Sequence, residues 1–464
     1  MNATTPTPSN VPAMFKQAIA HHQQGNLPQA KALYEQVLRF QPRNHDALHL
    51  LGVIAGQTND PQRAVELIGR AIQINPKVAG FYSNRGNALQ DLKRFDEAVA
   101  SYDKALALKA DFAEVHYNRG IVLQELGRLA PALSSYQKAI AARPDYAEAY
   151  WNRALVLLLS GDFEKGWKEY EWRWKREKAY IEKRSFAQPL WLGKESLKDK
   201  TILLYSEQGL GDAIQFGRYA RLVSDLGARV ILEVKGPLLS ITGTLDGVDT
   251  LVEKGTALPG FNYHCPLLSL PLAFKTNLDT IPATNRYLHS DPAKLVRWQA
   301  KLGEKKAPRV GLVWSGNARH INDGKRSVLL ADLVGSLPTA CEYVSLQKDI
   351  RDGDMQFLNS HPDLRHFGDE LADFGDTAAL CDLMDIVISV DTSVAHLSGA
   401  LGRPTWILLP FSPDWRWLTD RDDTPWYQSA RLYRQEKIGD WAGVYTRLNT
   451  DLADYVKLDC SGAA

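Results

Sequence analysis

Small and apolar residues recur through the first third of the chain with the spacing of helices, and the whole pattern repeats every 34 residues. Residues 84–86 read Asn-Arg-Gly, the tripeptide returns at 118–120, and Asn-Arg-Ala follows at 152–154. The same spacing links Tyr102, Tyr136 and Tyr170. Small residues mark the second helix of each unit at Ala30, Ala64, Ala98 and Ala132, and prolines close units at Pro42, Pro76 and Pro144. This pattern predicts stacked pairs of helices.

A period of 34 residues, with small residues where two helices cross, is typical of tetratricopeptide repeats. We predict an α-solenoid over residues 11–175, preceded by a flexible terminus over 1–10. Its five units are 11–44, 45–78, 79–112, 113–146 and a divergent fifth from 147 to about 175. In the fifth unit Gly166 replaces the helix alanine and three tryptophans occur between 167 and 174. Such divergence is expected of a unit that ends the stack or packs on another domain.

Three asparagines occupy one position on the first helix of successive units, and we call Asn84, Asn118 and Asn152 the asparagine row. Stacked helix pairs form a groove lined by their first helices, so the row is predicted to follow that groove. Asparagine both donates and accepts hydrogen bonds, which suits the backbone of an extended peptide whatever its side chains. The alternative is that each asparagine side chain forms hydrogen bonds only within its own helical turn.

From residue 201 onwards, short β-branched runs alternate with helix patterns, which predicts an α/β region after a linker over 176–200. The strands predicted in the first half, 201–290, are 201–205, 229–234, 248–252 and 261–264, and a helix over 213–226 follows the first of them. Those predicted in the second half, 291–464, are 309–314, 342–346, 364–367, 386–390 and 405–409. We therefore predict two α/β halves with a ligand held between them.

The turn after the first strand of this region is rich in glycine and carries Gln208, Gly209, Gly211 and Asp212. Its glycines suggest a dinucleotide-binding loop, and Glu233 supplies an acid at the end of the next strand. However, Ile214 stands at the third glycine position, and the carboxylate of Asp212 would lie where a pyrophosphate belongs. A dehydrogenase therefore fits poorly. Asp212 is predicted to act either as a general base or as a plain helix cap.

Polar and cationic side chains follow two strands of the second half. The loop after strand 309–314 carries Ser315, Asn317, Arg319, His320, Lys325 and Arg326. Cations at the carboxyl end of a strand can neutralise a diphosphate leaving group, although solvated surface charge explains any single one of them as well. The turn after strand 386–390 carries Asp391, Thr392, Ser393 and His396. Because helix N termini face the ligand site of a parallel sheet, we expect a phosphate ester at this turn, and His396 alone is also explained as a packing residue.

Composition narrows the class of protein. The 464 residues carry a formal net charge of +1, which gives no electrostatic reason to expect nucleic acid as a partner. The four cysteines, Cys265, Cys341, Cys381 and Cys460, lack metal-ligand spacing, so we expect reduced thiols and no metal site. The first residues show no secretory signal, and no apolar run approaches the roughly 20 residues that span a bilayer. We expect a cytoplasmic protein without a transmembrane segment.

A resemblance to bacterial heptosyltransferase-type glycosyltransferases (family 9-like) rests on three segments, TILLYSEQGLGDAIQFGRYARLV, SGNARHINDGKRS and SVDTSVAHLSGALGRPTWILLPFSPDWRWL. The chain most closely resembles the tetratricopeptide-fused branch of that family, which includes proteins implicated in flagellin glycosylation. The resemblance runs from the repeats to Trp441. It implies a GT-B-like pair of Rossmann domains and metal-independent, inverting transfer from a nucleotide-sugar, which is a substrate and not a cofactor.

The resemblance also assigns roles to residues. Asp212 matches the general base of the family, and Lys325 and Arg326 lie where the family places a phosphate-binding lysine. The four residues that match its nucleotide-diphosphate turn are Asp391, Thr392, Ser393 and His396. Heptosyltransferases commonly have glycine at the position of Ser393, so the identity of the donor stays open.

Taken together, the sequence predicts a glycosyltransferase that recruits a protein acceptor, flagellin-like by resemblance, through its repeats. Two alternatives stay open. In the first, the acceptor is a lipid-linked or surface glycan and the repeats serve assembly. In the second, the chain is a protein-binding scaffold whose transferase region is inactive.

Overall fold

The computed structural model describes residues 10–177, 181, 183–320 and 322–462, with side chains described up to residue 457. The terminus that we expect to be flexible therefore lies outside the described residues, apart from Asn10, as does the side chain of Cys460. The other three cysteines are free thiols. Packing divides the chain into two compact units, Met1–Val156 and Leu157–Ala464.

The first unit consists of helix pairs, as the period of 34 residues predicts. Its helices are α1 Val11–Gln23, α2 Leu27–Phe40, α3 His45–Gln57, α4 Pro61–Ile74, α5 Ala79–Asp91, α6 Phe95–Leu108, α7 Ala113–Glu125 and α8 Leu129–Ala142, and α9 Ala147–Leu159 crosses into the second unit. Side-chain caps begin two of them, because Asn44 accepts from the N–H of Ala47 and Asp60 from that of Arg63.

Close packing inside each helix pair explains the repeated glycine. A Cβ atom on Gly120 would lie 2.5 Å from Cε1 of Tyr136, and Gly86 packs in the same way on Tyr102. Both tyrosine side chains are fully buried. The repeated glycine and tyrosine are therefore the two sides of one contact between the helices of a unit.

The fifth predicted unit is shortened. Its second helix, α10 Phe163–Tyr170, has 8 residues, compared with 14 in α8, and the 3₁₀ turn Glu171–Lys175 follows it. The division at residues 156 and 157 falls inside α9, earlier than the boundary at 175 that the sequence suggests. Within the second unit, the buried Trp167 donates from Nε1 to the carbonyl of Thr276 at 3.0 Å. Thus α10 packs on the α/β region.

The second unit holds two sheets whose described strands all pair in parallel. The first contains β1 Thr201–Tyr205, β2 Arg229–Val234, β3 Thr250–Glu253 and β4 Tyr263–Pro266, in the order β3-β2-β1-β4. The second contains β5 Arg309–Val313, β6 Glu342–Ser345, β7 Arg365–His366, β8 Ile386–Val390, β9 Thr405–Leu409 and β10 Ala430–Arg434, in the order β10-β9-β8-β5-β6-β7. Strands β5, β8 and β9 are buried along their whole length, as expected of a parallel sheet covered on both faces.

Helices connect these strands. They are α11 Leu210–Gly217, α12 Tyr219–Asp225, α13 Leu239–Thr242, α14 Leu270–Ala273, α15 Pro292–Leu302, α16 Asp323–Arg326, α17 Leu330–Gly335, α18 Asp352–Ser360, α19 Phe374–Asp382, α20 Ser393–Ala400 and α21 Trp441–Gly462. The helix predicted over 213–226 is thus two helices that meet at Arg218. In the part of the chain that the structure describes, no helix is both long and apolar enough to cross a membrane.

Candidate functional site

The N terminus of α11 packs against the N terminus of α20. A Cβ atom on Gly211 would lie 2.8 Å from Cδ2 of His396 and 3.4 Å from Cα of Ser393, so glycine is needed for this approach. Helix α11 follows β1 of the first sheet, whereas α20 follows β8 of the second. The Asp212 loop (residues 208–212) and the Asp391 turn (residues 391–393) are therefore neighbours.

Both carboxylate oxygens of Asp212 have hydrogen-bond partners. Oδ2 accepts from the backbone N–H of Gly209 at 2.7 Å, which is a helix cap. Oδ1 accepts from Nη2 of Arg416 in an ion pair. The cap predicted as the plain alternative is thus present, and a cation lies beside it. The side chain of Asp212 keeps 17% exposure, so it is not sealed from an approaching molecule.

Arg416 is the residue that the sequence did not single out. It lies in the 3₁₀ turn Trp415–Trp417, after β9, and also donates from Nε to Oε1 of Gln215 at 2.6 Å and from Nη1 to Asp414 at 2.8 Å. Burial opposes its charge, but Asp414 and Asp212 more than compensate and raise the pKa of Arg416 above its ordinary value. The run Ser-Pro-Asp-Trp-Arg-Trp at the carboxyl end of a strand was the signal that could have found it.

The Asp391 turn combines a half-buried acid with nearby arginines. Burial, helped by the charge of Asp414, raises the pKa of Asp391 to about 6, although Arg326 and Arg416 oppose the rise. Arg326 donates from Nη1 to the backbone carbonyl of Asp391 at 2.6 Å. Thr392 precedes α20, and its hydroxyl lies 3.2 Å from that of Ser389. The turn therefore carries both an acid and cations.

The structure separates the two cations that the sequence left unresolved. Arg326 is half-buried and reaches the Asp391 turn, whereas Lys325 is exposed on the neighbouring position of α16. A Cβ atom on Gly316 would also lie 2.6 Å from the Arg326 guanidinium, so this loop packs on it. Arg326 is therefore the better placed of the two for a ligand at the turn.

The two polar residues predicted after β5, Ser315 and Asn317, stabilise the loop in which they lie. The backbone of Ser315 is held by the side chain of Gln347, which donates to its carbonyl at 3.1 Å, and Ser315 is buried. The exposed Asn317 accepts from the N–H of Arg319 at 2.9 Å. These contacts shape the loop that leads to Arg326.

His396 is buried between α20 and the C-terminal segment. Its Nδ1 lies 2.9 Å from the hydroxyl of Tyr427, and its ring stacks on Trp417 with 5.4 Å between centroids. Burial and then the charges of Arg416, Arg218 and Arg326 hold the pKa of His396 well below its usual range. The imidazole is therefore neutral, and it fixes the packing of α20 without adding charge to the turn.

The Asp212 loop rests on a buried ion pair. Gln208 donates from Nε2 to the hydroxyl of Tyr170 at 3.2 Å. Beside it, the fully buried Arg173 donates to Glu207 at 3.2 Å and to the hydroxyl of Ser269 at 2.7 Å. Burial raises the pKa of Glu207 to about 7. By contrast, Glu233, the acid at the end of β2, is paired with Arg184 of the predicted linker.

Two buried donors, one beside Arg416 and one beside the Asp391 turn, lack acceptors among the described residues. They are Nε2 of Gln215, whose side chain is fully buried, and Nε of Arg326. Buried donors are almost always hydrogen-bonded in proteins, so unpaired ones indicate a place for a ligand or water. An acceptor-rich ligand such as a phosphate would suit both.

In the first unit, each member of the asparagine row bonds the first helix of the preceding repeat. Asn84 bonds Nε2 of His49 at 2.8 Å, Asn118 donates to Oδ1 of Asn87 at 3.0 Å, and Asn152 donates to the hydroxyl of Tyr117 at 3.2 Å. The row therefore links neighbouring repeats, and its side chains are half-buried.

Comparison with known proteins identifies the repeats. Models described as "TPR repeat" match residues 91–127 and 125–161, and one described as "Tetratricopeptide repeat" matches residues 15–79. The chain contains tetratricopeptide repeats. A curated relative, Protein FlbA of Caulobacter vibrioides, is 26% identical over 332 residues. The match takes in 64% of this chain and 54% of FlbA, so it spans about half the length of that relative.

Two solved structures also match part of the chain. MamA 41-end from Desulfovibrio magneticus RS-1 is 15% identical, with a TM-score of 0.34, and the match covers 36% of this chain and 98% of that one. The Pseudomonas aeruginosa pilF structure is 22% identical with a TM-score of 0.33, covering 35% of this chain and 75% of that one.

Proposed function

We propose that the second unit is a GT-B-like glycosyltransferase that moves a sugar from a nucleotide-diphosphate donor to an acceptor hydroxyl, and that the repeats recruit a protein acceptor. The observation that carries the proposal is the close approach of the Asp212 loop to the Asp391 turn, with Arg326 bonded to the backbone carbonyl of Asp391 and Arg416 paired with both Asp212 and Asp414. This arrangement offers a base and a phosphate-binding surface in one place.

The proposed reaction is a single displacement. The acceptor oxygen forms a bond to the anomeric carbon as its proton passes to the carboxylate of Asp212. The bond from that carbon to the phosphate oxygen breaks, and its electron pair leaves with the nucleoside diphosphate. Arg326 and the N–H groups at the start of α20 would stabilise the leaving charge. Attack from the opposite face inverts the anomeric centre, and the mechanism uses no metal.

A protein acceptor is proposed because of the repeats. Tetratricopeptide arrays bind peptides in the groove of their first helices, and each described member of the asparagine row lies on such a helix. Resemblance to the flagellin-modifying branch favours a flagellin-like acceptor. An acceptor that is a lipid-linked or surface glycan is the first alternative.

One observation favours the second alternative, an inactive scaffold. Both oxygens of Asp212 already have partners inside the protein. Each carboxylate oxygen has two acceptor positions, however, so one position on each is left for an acceptor hydroxyl. Activity measurements decide between these interpretations.

The first experiment is calorimetric titration of the whole chain with a panel of nucleoside diphosphates, followed by incubation with the matching nucleotide-sugars and mass spectrometry of a candidate acceptor. A glycosylated protein supports the proposal, and a modified glycan beside an unmodified protein supports the first alternative. Asp212→Asn should keep nucleotide binding and lower turnover by about 100-fold or more. Wild-type protein that binds no nucleotide would favour the scaffold.

Acceptor capture is tested separately. Replacing all three members of the asparagine row by alanine should weaken binding of the acceptor protein and leave nucleotide affinity unchanged. Lys16→Ala is the matched control, because Lys16 holds the same repeat position outside the row. Equal acceptor affinity in the triple variant and the control would remove the row from the proposal.

A further inference from the structure

The side chain of Arg416 is held on every side. Its three donor nitrogens reach Gln215, Asp414 and Asp212, and its guanidinium lies 4.3 Å from the centroid of the Trp415 ring. Only 8% of the side chain is exposed. A guanidinium with this many fixed contacts is held in one orientation, and its planar set of N–H donors is therefore rigid.

The contacts of Arg416 join two parts of the second unit. Arg416 and Asp414 follow β9 of the second sheet, whereas Asp212 and Gln215 belong to α11, which follows β1 of the first sheet. Oδ1 of Asp212 is held by Arg416, and Oδ2 is held by the N–H of Gly209. Two contacts at different oxygens fix the rotation of a carboxylate about its Cβ–Cγ bond, which a single cap does not.

We propose that Arg416 is the positioning residue for Asp212, and that it holds the base in the orientation which receives the acceptor proton. Asp414 in turn holds Arg416. This inference rests on the proposed function for its effect on turnover, but the orientation of Asp212 can be measured without activity. The role differs from phosphate binding, which the proposed function assigns to Arg326 at the Asp391 turn.

The experiment compares Arg416→Gln and Arg416→Lys with wild type. Arg416→Gln should lower kcat by about 100-fold, because displacement of a reacting group by 1 Å has an effect of that size. The nucleotide dissociation constant should stay within about threefold of wild type. Arg416→Lys keeps the charge but lacks the planar set of N–H donors, so its kcat should lie between that of Arg416→Gln and that of wild type. Arg421→Gln is the control, since Arg421 pairs with the exposed Asp423.

A second measurement does not depend on catalysis. The N–H of Gly209 is bonded to Asp212, so its hydrogen exchange reports whether the carboxylate stays in place. Arg416→Gln should raise exchange at Gly209, and Arg421→Gln should not. This readout also works if wild type transfers no sugar, in which case the proposed function fails and the positioning of Asp212 is still decided.

Three outcomes would overturn the inference. They are wild-type kcat in Arg416→Gln, unchanged exchange at Gly209, and a loss of nucleotide affinity as large as the loss of kcat, which would make Arg416 a donor-binding residue. If circular dichroism shows that Arg416→Gln does not fold, the same measurements are made on Arg416→Lys. This variant retains the charge beside Asp212 and Asp414.

Discussion

Gly211 shows how one residue determines whether the two turns of the candidate site can meet. The glycine-rich loop suggests a phosphate-binding fingerprint when only the sequence is considered. In the structure, the missing side chain leaves room for His396 and the backbone of Ser393. His396 is itself buried and stacked on Trp417, so it has no space to retreat. The glycine is therefore needed for contact between the halves.

We expect Gly211→Ala to lower the free energy of unfolding by about 1–3 kcal/mol, because an added Cβ would overlap a buried ring and neighbouring backbone. Gly324→Ala is the matched control, since nothing lies within 4 Å of a Cβ atom at that helical glycine. Urea unfolding followed by tryptophan fluorescence measures both. Equal stability of the two variants would show that the contact at Gly211 relaxes without cost.

The stability of the second unit should depend on pH through Glu207, and the burial of Glu207 sets the direction of that dependence. Burial raises its pKa from 4.5 to about 7, and Arg173 only partly opposes this. The folded protein thus holds the proton of Glu207 more tightly than the unfolded chain. This contribution to stability is complete below about pH 4 and is lost as the pH rises through about 7.

Glu207→Gln should remove that loss, because glutamine keeps the neutral form at every pH. The drop in unfolding free energy between pH 5 and pH 8 should shrink by up to about 3 kcal/mol. Urea unfolding at the two pH values measures it, with the exposed Glu195→Gln as control. Because the pKa of the half-buried Asp391 is also raised, part of the drop should persist. A slope identical to wild type would contradict the role of Glu207.

Some site residues could be predicted from the sequence because strand, turn and helix are local patterns. Asp212 and the Asp391 turn follow strands that the apolar runs define, and both lie at helix N termini in the structure. Arg416 could not be predicted, because its partner Asp212 is 204 positions away. The different placement of Lys325 and Arg326 also needed coordinates, since adjacent helical residues point in different directions.

At the scale of elements, each predicted strand occurs in the structure, and those whose bounds differ from the prediction are shifted by at most two residues at either end. The strands at 201–205, 229–234, 386–390 and 405–409 have the predicted bounds. Strand β10, Ala430–Arg434 at the edge of the sheet, was missed because Arg431 and Arg434 interrupt its apolar residues. Its two arginines hid the strand pattern.

The helix pairs of the first unit depend on the contact between the repeated glycine and tyrosine. We expect Gly120→Ala to lower the unfolding free energy of the repeats by about 1–3 kcal/mol, because the ring of Tyr136 is fully buried and cannot move aside. Gly69→Ala, at a glycine of α4 with open space around its Cβ direction, should instead gain up to about 1 kcal/mol from helix propensity. Thermal unfolding followed by circular dichroism distinguishes the two. A stable Gly120→Ala would show that the glycine is not required by packing.

At the scale of the whole second unit, Arg218 connects segments that are far apart in sequence. It lies where α11 meets α12 and is buried, yet no carboxylate is among its hydrogen-bond partners in the described residues. Instead it donates to the carbonyls of Gln215, Pro282 and Trp426 and to the hydroxyl of Tyr287. The first sheet region, the connection before α15 and the segment before β10 are thus held by one guanidinium.

Arg218→Lys should therefore destabilise the second unit far more than the same substitution at an exposed arginine. Lysine keeps the charge but cannot reach carbonyls on three segments at once, and each buried carbonyl left unpaired costs about 1–3 kcal/mol. We expect a loss of about 3 kcal/mol or more in urea unfolding. Arg221→Lys, on the next part of α12, is the control, because Arg221 pairs with Asp225 on the exposed face. If both variants unfold at the same urea concentration, Arg218 does not hold the segments together, and cohesion of the unit comes from its aromatic packing instead.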